Sequence, residues 1–384
     1  MRRDENRRVA PRRRVLALLG GLLAARGSTA QTTTPASSSA PSPLAPHSSR
    51  LTQFAEVTPG RVIRFPDDEG SHPEFRTEWW YATGWLEAHG KPLGFQLTFF
   101  RTRAARDDGN PSAFAPRQIV IAHAALSDPE IGHLLHDQRV AREGFGLVGA
   151  AQGRTEVWID DWSLEQGAGD YVARLPARDF RLELKFVRSA APLLQGDAGY
   201  SRKGPRPESA SYYYSLPQLR VTGTLARAGK ETRVTGTAWL DHEWSSAPMD
   251  RNAVGWDWTG INFSDGGALM AFRMRDKAGG TLWAGGTFRA SGGAPRVLGP
   301  DEARWTSLAQ WRSPSTGASY PVAWRIDAGG IEVELQPLMQ DQENDTRLST
   351  GAIYWEGAVR ALRGGREIGR GYLELTGYWR ALKL

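Results

Sequence analysis

Phe180-Arg181-Leu182-Glu183-Leu184-Lys185-Phe186 alternates apolar and charged side chains without a break. A period of two is the pattern of a strand with one face in a core and the other in water. Phe95-Gln96-Leu97-Thr98-Phe99 and Ile331-Glu332-Val333-Glu334-Leu335 repeat it. Asp265-Gly266-Gly267, Ala278-Gly279-Gly280 and Arg363-Gly364-Gly365 read as hairpin turns. With 43 Gly in 384 residues and few helical periods, the chain is predicted to be all-β with few helices. Many antiparallel strands with interspersed Gly and aromatics fit barrels or sandwiches. All 15 Trp lie beyond residue 30 and predict a wide aromatic interior.

The N-terminus has a different composition. Residues 1–30 hold eight of the 48 basic residues and only Asp4 and Glu5 of the 42 acidic ones, which leaves 40 of each for the rest of the chain. The net charge of +6 belongs to this leader, and nucleic acid is not an implied partner of the remainder. A basic stretch ending Arg12-Arg13-Arg14, an apolar run from Val15 to Ala25 and a small-residue site at Ser28-Thr29-Ala30 have the order of an export signal. Arg12-Arg13-Arg14-Val15-Leu16 also resembles a twin-arginine motif. Residues 31–50 are Thr, Ser, Pro and Ala with hardly a large apolar side chain, the composition of a tether. The expectation is a periplasmic or secreted protein, with an association to the cell envelope left open. The chain has no Cys, so stability must come from apolar burial.

Trp239-Leu240-Asp241-His242-Glu243-Trp244, with Asp257 between Trp256 and Trp258, concentrates groups that are costly to bury without a use. Strand alternation puts His242 and Trp244 on one face with Leu240, and Asp241 and Glu243 on the other with Trp239. Asp257 on a following strand could meet His242 across a ladder and raise its pKa. The candidate catalytic residues are His242, Asp241, Glu243 and Asp257. Three further places supply candidate ligand contacts. In Glu78-Trp79-Trp80-Tyr81, Glu78 and Trp80 share one face and Trp79 and Tyr81 the other. His123 stands in an apolar run. Tyr212, Tyr213 and Tyr214 alternate, with Lys203 or Glu208 available to their hydroxyls. The ligand-binding set is Glu78, Trp80, Tyr81, His123, Lys203, Tyr212, Tyr214, Trp244, Trp256 and Trp258.

No Gly-rich phosphate loop follows a strand and opens a helix, so no nucleotide cofactor is expected. His133 and His136 lie at a spacing that a helix could bring together, but no Cys or second close-set acid accompanies them, and no metal is expected.

His72-Pro73-Glu74-Phe75-Arg76-Thr77-Glu78-Trp79-Trp80-Tyr81, Ala122-His123-Ala124, Ser211-Tyr212-Tyr213-Tyr214-Ser215-Leu216-Pro217 and Trp239-Leu240-Asp241-His242-Glu243-Trp244-Ser245 together resemble the AttH and carotenoid 1,2-hydratase superfamily, from about Phe65 to Tyr378. The resemblance implies two lipocalin-like antiparallel β-barrels packed side by side, over 51–245 and 246–384, with a ligand cavity near their junction. It implies water addition to long, apolar, polyunsaturated substrates without an organic cofactor. The hydratases pair a His-x-Trp with a Tyr and an Asp on a later strand. His242-Glu243-Trp244 supplies the pair, but Ala268-Leu269-Met270-Ala271-Phe272-Arg273 offers neither Tyr nor Asp, so Asp257 or Asp241 would have to substitute.

Three functions follow as expectations. The leading one is cofactor-independent acid/base catalysis, of hydratase, lyase or isomerase type, on a bulky apolar small molecule. The second is a non-catalytic carrier of lipid or pigment. The third, a secreted hydrolase, lacks a Gly-x-Ser-x-Gly elbow.

Overall fold

The computed structural model describes residues 54–103, 112, 114, 115 and 117–382. The expected signal at 1–30 and tether at 31–50 lie outside them. The described residues form 23 strands and a single helical turn, Asp67–Glu69.

Thirteen strands between Thr77 and Ala247 make one antiparallel sheet. Its order is Leu134–Arg142, Gln118–Ser127, Lys91–Arg103, Thr77–Ala88, Lys230–Ala247, Ala210–Arg227 and Arg181–Val187, then back through short strands to Val148–Ala150. The ends of this order approach each other, and Arg139 Nη1 donates to Ile159 O across the seam (3.2 Å). A second sheet of ten strands runs from Gly255 to Leu375, with Gly255–Phe263 between Ala268–Arg275 and Arg366–Leu375, and Ala352–Arg363 next to the last. Each sheet curls round its own core, giving two lipocalin-like antiparallel barrels side by side.

Local sequence accounts for the strands. Leu182, Leu184 and Phe186 are buried while Arg181, Glu183 and Lys185 are exposed, as the period of two requires. A fully buried Leu or Phe of this kind stabilises by roughly 1.5–3 kcal/mol. The Gly-Gly pairs at 266–267, 279–280 and 364–365 close three hairpins, with positive φ at Gly266, Gly279, Gly364 and Gly365 where an L side chain would be strained. His136 lies in the strand Leu134–Arg142, just after His133, so no helix brings the two together. His136 pairs with Ala125 in the ladder between Gln118–Ser127 and Leu134–Arg142, and this sheet pairing overrides the helical spacing.

The barrels join through side chains that leave both outward faces apolar. Tyr81, Trp85, Tyr213 and Trp239 from the first sheet pack against Trp258, Met270 and Tyr372 from the second. Trp85 Nε1 donates to Gly371 O (3.0 Å) and Asn262 Nδ2 to Ala238 O (3.0 Å), which satisfies polar groups buried at the joint. Gly260 is required there: a Cβ would stand 2.7 Å from the Trp258 ring and 3.0 Å from the Trp239 ring.

Candidate functional site

Between the barrels lies a cavity with about 120 Å³ open to the centre of a water-sized sphere. At about 10–15 Å³ for each water position, this is room for a guest of roughly ten heavy atoms. Its walls are aromatic: Trp79, Tyr81, Phe100 and Tyr213 on one side, Trp256, Trp258 and Phe272 on the other. Into this apolar space project four carboxyl groups, Asp241, Glu243, Glu356 and Glu374, and one lysine, Lys203.

Strand pairing sets their positions. Trp79 lies opposite Glu243 and Tyr81 opposite Asp241 where Thr77–Ala88 meets Lys230–Ala247. On the second sheet Glu356 stands opposite Glu374, and Glu374 opposite Trp258. Asp241 accepts from Tyr213 Oη (2.6 Å), Ser215 Oγ (2.5 Å) and Trp239 Nε1 (2.6 Å), and Tyr213 Oη in turn accepts from Trp258 Nε1 (3.0 Å). Burial nevertheless pushes Asp241 up to about 7, outweighing those three donors. Lys203 Nζ neutralises Glu243 at 3.1 Å, and Ser211 donates to the same carboxylate.

Glu356 is 2% exposed and its Oε1 has no hydrogen-bond partner. Burial and then the adjacent Glu374 charge hold it well above the usual carboxylate range, only partly offset by the Tyr81 and Tyr354 phenols. Glu374, partly buried, accepts from Trp256 Nε1 (2.9 Å), and burial still pushes it up to about 7. Two carboxyls directly opposite each other cannot both ionise in such a setting, so the pair retains a proton.

His242 points the other way. It faces the interior of the first barrel, where its Nε2–H donates to Glu78 Oε1 (2.8 Å) and its Nδ1 accepts from Tyr214 Oη (3.1 Å). The same Glu78 oxygen accepts from His72 Nδ1 (2.7 Å), and the other accepts from Arg101 Nε (2.9 Å) and His72 N (2.8 Å). His72 Nε2 donates to Asp68 (3.0 Å), and its ring stacks on Trp244 at 3.8 Å. Burial lowers the pKa of His242 despite Glu78. For His72 the two carboxylates outweigh burial and raise it. For Glu78 the two imidazoles and Arg101 outweigh burial and lower it well below normal. The result is a charge-balanced buried chain of two carboxylates, Asp68 and Glu78, with an imidazolium, a guanidinium and a neutral imidazole.

The ligand atoms of His72, Glu78 and His242 lie within 4.8 Å of one another, the grouping among the described residues with metal-binding chemistry. Each of those atoms is already engaged in the hydrogen bonds just given, and Arg101 brings a positive charge to the same carboxylate. A cation would have to displace both contacts, so the set fits a structural network better than a metal site.

Of the residues singled out by sequence, Asp241, Glu243, Tyr81, Lys203, Trp256 and Trp258 line the cavity. Glu78, Trp80, Tyr212, Tyr214, His242 and Trp244 are buried in or against the core of the first barrel, on the opposite face of the same strands. His123 stands behind the cavity wall: Tyr354 Oη donates to its Nδ1 (2.9 Å), and its Nε2–H donates to Ser349 Oγ (2.9 Å). The expected meeting of Asp257 and His242 does not occur. Gly255–Phe263 opens the second sheet, so Asp257 is held by Arg273 (2.6 Å), Arg275 (3.1 Å) and Tyr378 (3.0 Å), and the acid that reaches His242 is Glu78. Sequence reading missed Glu356 and Glu374. For Glu356 the available signal was a lone carboxylate in the run Ile353-Tyr354-Trp355-Glu356-Gly357-Ala358-Val359, apolar on both faces, whereas Glu374 shares its strand with Arg366, Glu367 and Arg370 and does not stand out.

The AttH-like family profile matches residues 56–378. The crystal structure of a candidate AttH from Nitrosomonas europaea is 50% identical and superposes with a TM-score of 0.80, over 85% of this chain and all of the other. Kievitone hydratase from Nectria haematococca is 13% identical, with a TM-score of 0.62 over 86% of this chain and 98% of its own. CghA with Sch210972 is 14% identical, with a TM-score of 0.50 over 79% and 89%. Among curated proteins none matches the chain.

Proposed function

We propose that this chain, which belongs to the AttH-like family, binds an apolar small molecule in the cavity between its barrels and adds water to it, or removes water from it, by acid/base catalysis. The observation that carries this reading is the Glu356–Glu374 pair, set strand to strand without a cation beside it and facing an aromatic space. A carboxylic acid kept neutral by its surroundings can donate to a reacting group at neutral pH. Asp241, at about 7, is poised to take a proton from water, and the Trp79 and Trp258 rings can stabilise positive charge that develops on carbon. Addition or loss of water needs no redox partner. The fold shared with kievitone hydratase, a hydratase by name, supports the reaction class, and the basic leader supports export.

The test is incubation of the full chain with fractions of apolar metabolites in oxygen-18 water, read by mass spectrometry. The expected result is a labelled product one water heavier, formed about 10²–10⁴-fold more slowly by Glu356→Gln. A ligand retained unchanged by both proteins would instead make this chain a carrier.

A further inference from the structure

Tyr81 Oη and Glu356 Oε1 are both buried at the cavity wall, on facing sheets, and neither has a hydrogen-bond partner among the described residues. The two groups are neighbours: the phenol lies near enough to the carboxyl to interact with it, yet outside hydrogen-bond geometry. A buried polar atom left unpaired costs about 1–3 kcal/mol, so two of them side by side mark a place where something else completes the bonding. The other polar groups of the cavity are already engaged. Asp241 accepts three hydrogen bonds, Glu243 holds Lys203, and Glu374 accepts from Trp256.

Both free groups are donors. The phenol of Tyr81 is held well above its ordinary pKa, by burial first, and Glu356 itself retains a proton. Two converging donors call for one acceptor atom with two lone pairs. The acceptor must be neutral, because Lys203, the one cation lining the cavity among the described residues, is spent on Glu243, and the further carboxyls Asp241 and Glu374 disfavour an anion.

The geometry points to a neutral carbonyl compound as the ligand, its oxygen held between the Tyr81 hydroxyl and the Glu356 carboxyl, with the apolar remainder against Trp79, Trp258 and Phe272. This rests on the reading that the cavity takes an apolar guest, and it narrows the substrate to an enone or the matching β-hydroxy ketone. A carbonyl gripped by two donors is polarised, which opens the conjugated double bond to water. The oxygen of water bonds to the β carbon, and the π electrons shift toward the carbonyl oxygen. The proton that water gives up to a cavity carboxylate is returned at the α carbon. Atoms and electrons balance without an oxidant, and the reverse path is dehydration.

Acetophenone and α-methylstyrene test this directly, since they differ only in an oxygen replaced by CH₂. Titrated into the full chain, acetophenone is expected to bind roughly ten- to hundredfold more tightly, with its carbonyl infrared band shifted to lower frequency. Tyr81→Phe and Glu356→Leu should each shrink that preference while leaving α-methylstyrene affinity within about threefold. Equal binding of both probes by the unaltered chain would overturn the donor pair and leave the apolar cavity standing. A preference that survives in Tyr81→Phe and in Glu356→Leu would overturn it as well. Failure of both probes to bind would sink the cavity reading together with this one.

Discussion

Glu356 and Glu374 are directly paired residues on neighbouring antiparallel strands, and neither forms an ion pair among the described residues. Other buried carboxylates among the described residues have found a counter-charge, as Glu78 has in Arg101 and Asp257 in Arg273 and Arg275, while Asp241 is held by three neutral donors. This pair is kept apart from cations, and its proton is the consequence.

The pair should make stability fall with rising pH. Glu374 has a folded pKa of about 7 against 4.5 for the free side chain, so the folded state binds more protons than the unfolded chain between those values. The stabilising protonated form is fully present below about 4.5 and is lost as pH rises through about 7. Thermal melts at pH 5 and pH 8 should therefore differ less in Glu374→Gln than in the unaltered chain, by on the order of 2 kcal/mol. Parallel pH profiles for the two proteins would count against a shared proton.

Arg101→Met should be strongly destabilising. The substitution leaves Glu78 buried without its guanidinium, and removing one partner of a buried pair typically costs about 3–5 kcal/mol. Urea denaturation followed by tryptophan fluorescence measures it. A loss below about 1 kcal/mol would show that the imidazoles of His72 and His242 suffice.

His242→Gln separates the core from the cavity. It should lower stability by about 1–3 kcal/mol through the Glu78 and Tyr214 hydrogen bonds. Acetophenone affinity should stay within about twofold, because His242 lies on the far side of the strand. A tenfold or larger drop in affinity at unchanged stability would return His242 to the site.

Gly260→Ala probes the joint. Its new methyl group meets the Trp258 and Trp239 rings below contact distance, and overpacking of this kind costs about 1–3 kcal/mol. Since Trp239 Nε1 also donates to Asp241, the variant should disturb the cavity carboxyl along with the packing. A neutral Gly260→Ala measured by thermal melting would mean that the rings move aside freely.

Sequence periodicity carried much of this structure. Phe180–Phe186 shows its two faces in its own residues, and so does the Tyr212-Tyr213-Tyr214 triplet, whose first and third rings enter the first barrel while the second lines the cavity. Alternation also divided Asp241 and Glu243 from His242 and Trp244. What it could not say is which side meets the cavity, because both sides of the strand are buried and differ only in what the rest of the chain brings opposite them. Glu356 and Glu374 lie more than 100 residues from Asp241 in sequence and join it only when the second sheet closes over the first. No local pattern encodes that register.

The strands Thr77–Ala88, Lys230–Ala247 and Ala210–Arg227 have one further consequence. They are a party wall, with a charge-balanced chamber on one side and an acid-lined one on the other. Replacing a side chain redecorates a single room, so the guest of the cavity can change over evolution without retuning the neighbouring barrel. Removing one residue between Thr235 and Leu240 would instead exchange the furnishings of both rooms at once, sending Asp241 and Glu243 into the barrel and His242 and Trp244 into the cavity. Length changes should therefore collect at hairpin tips such as Ala228-Gly229, where φ is already positive and nothing stands behind the chain.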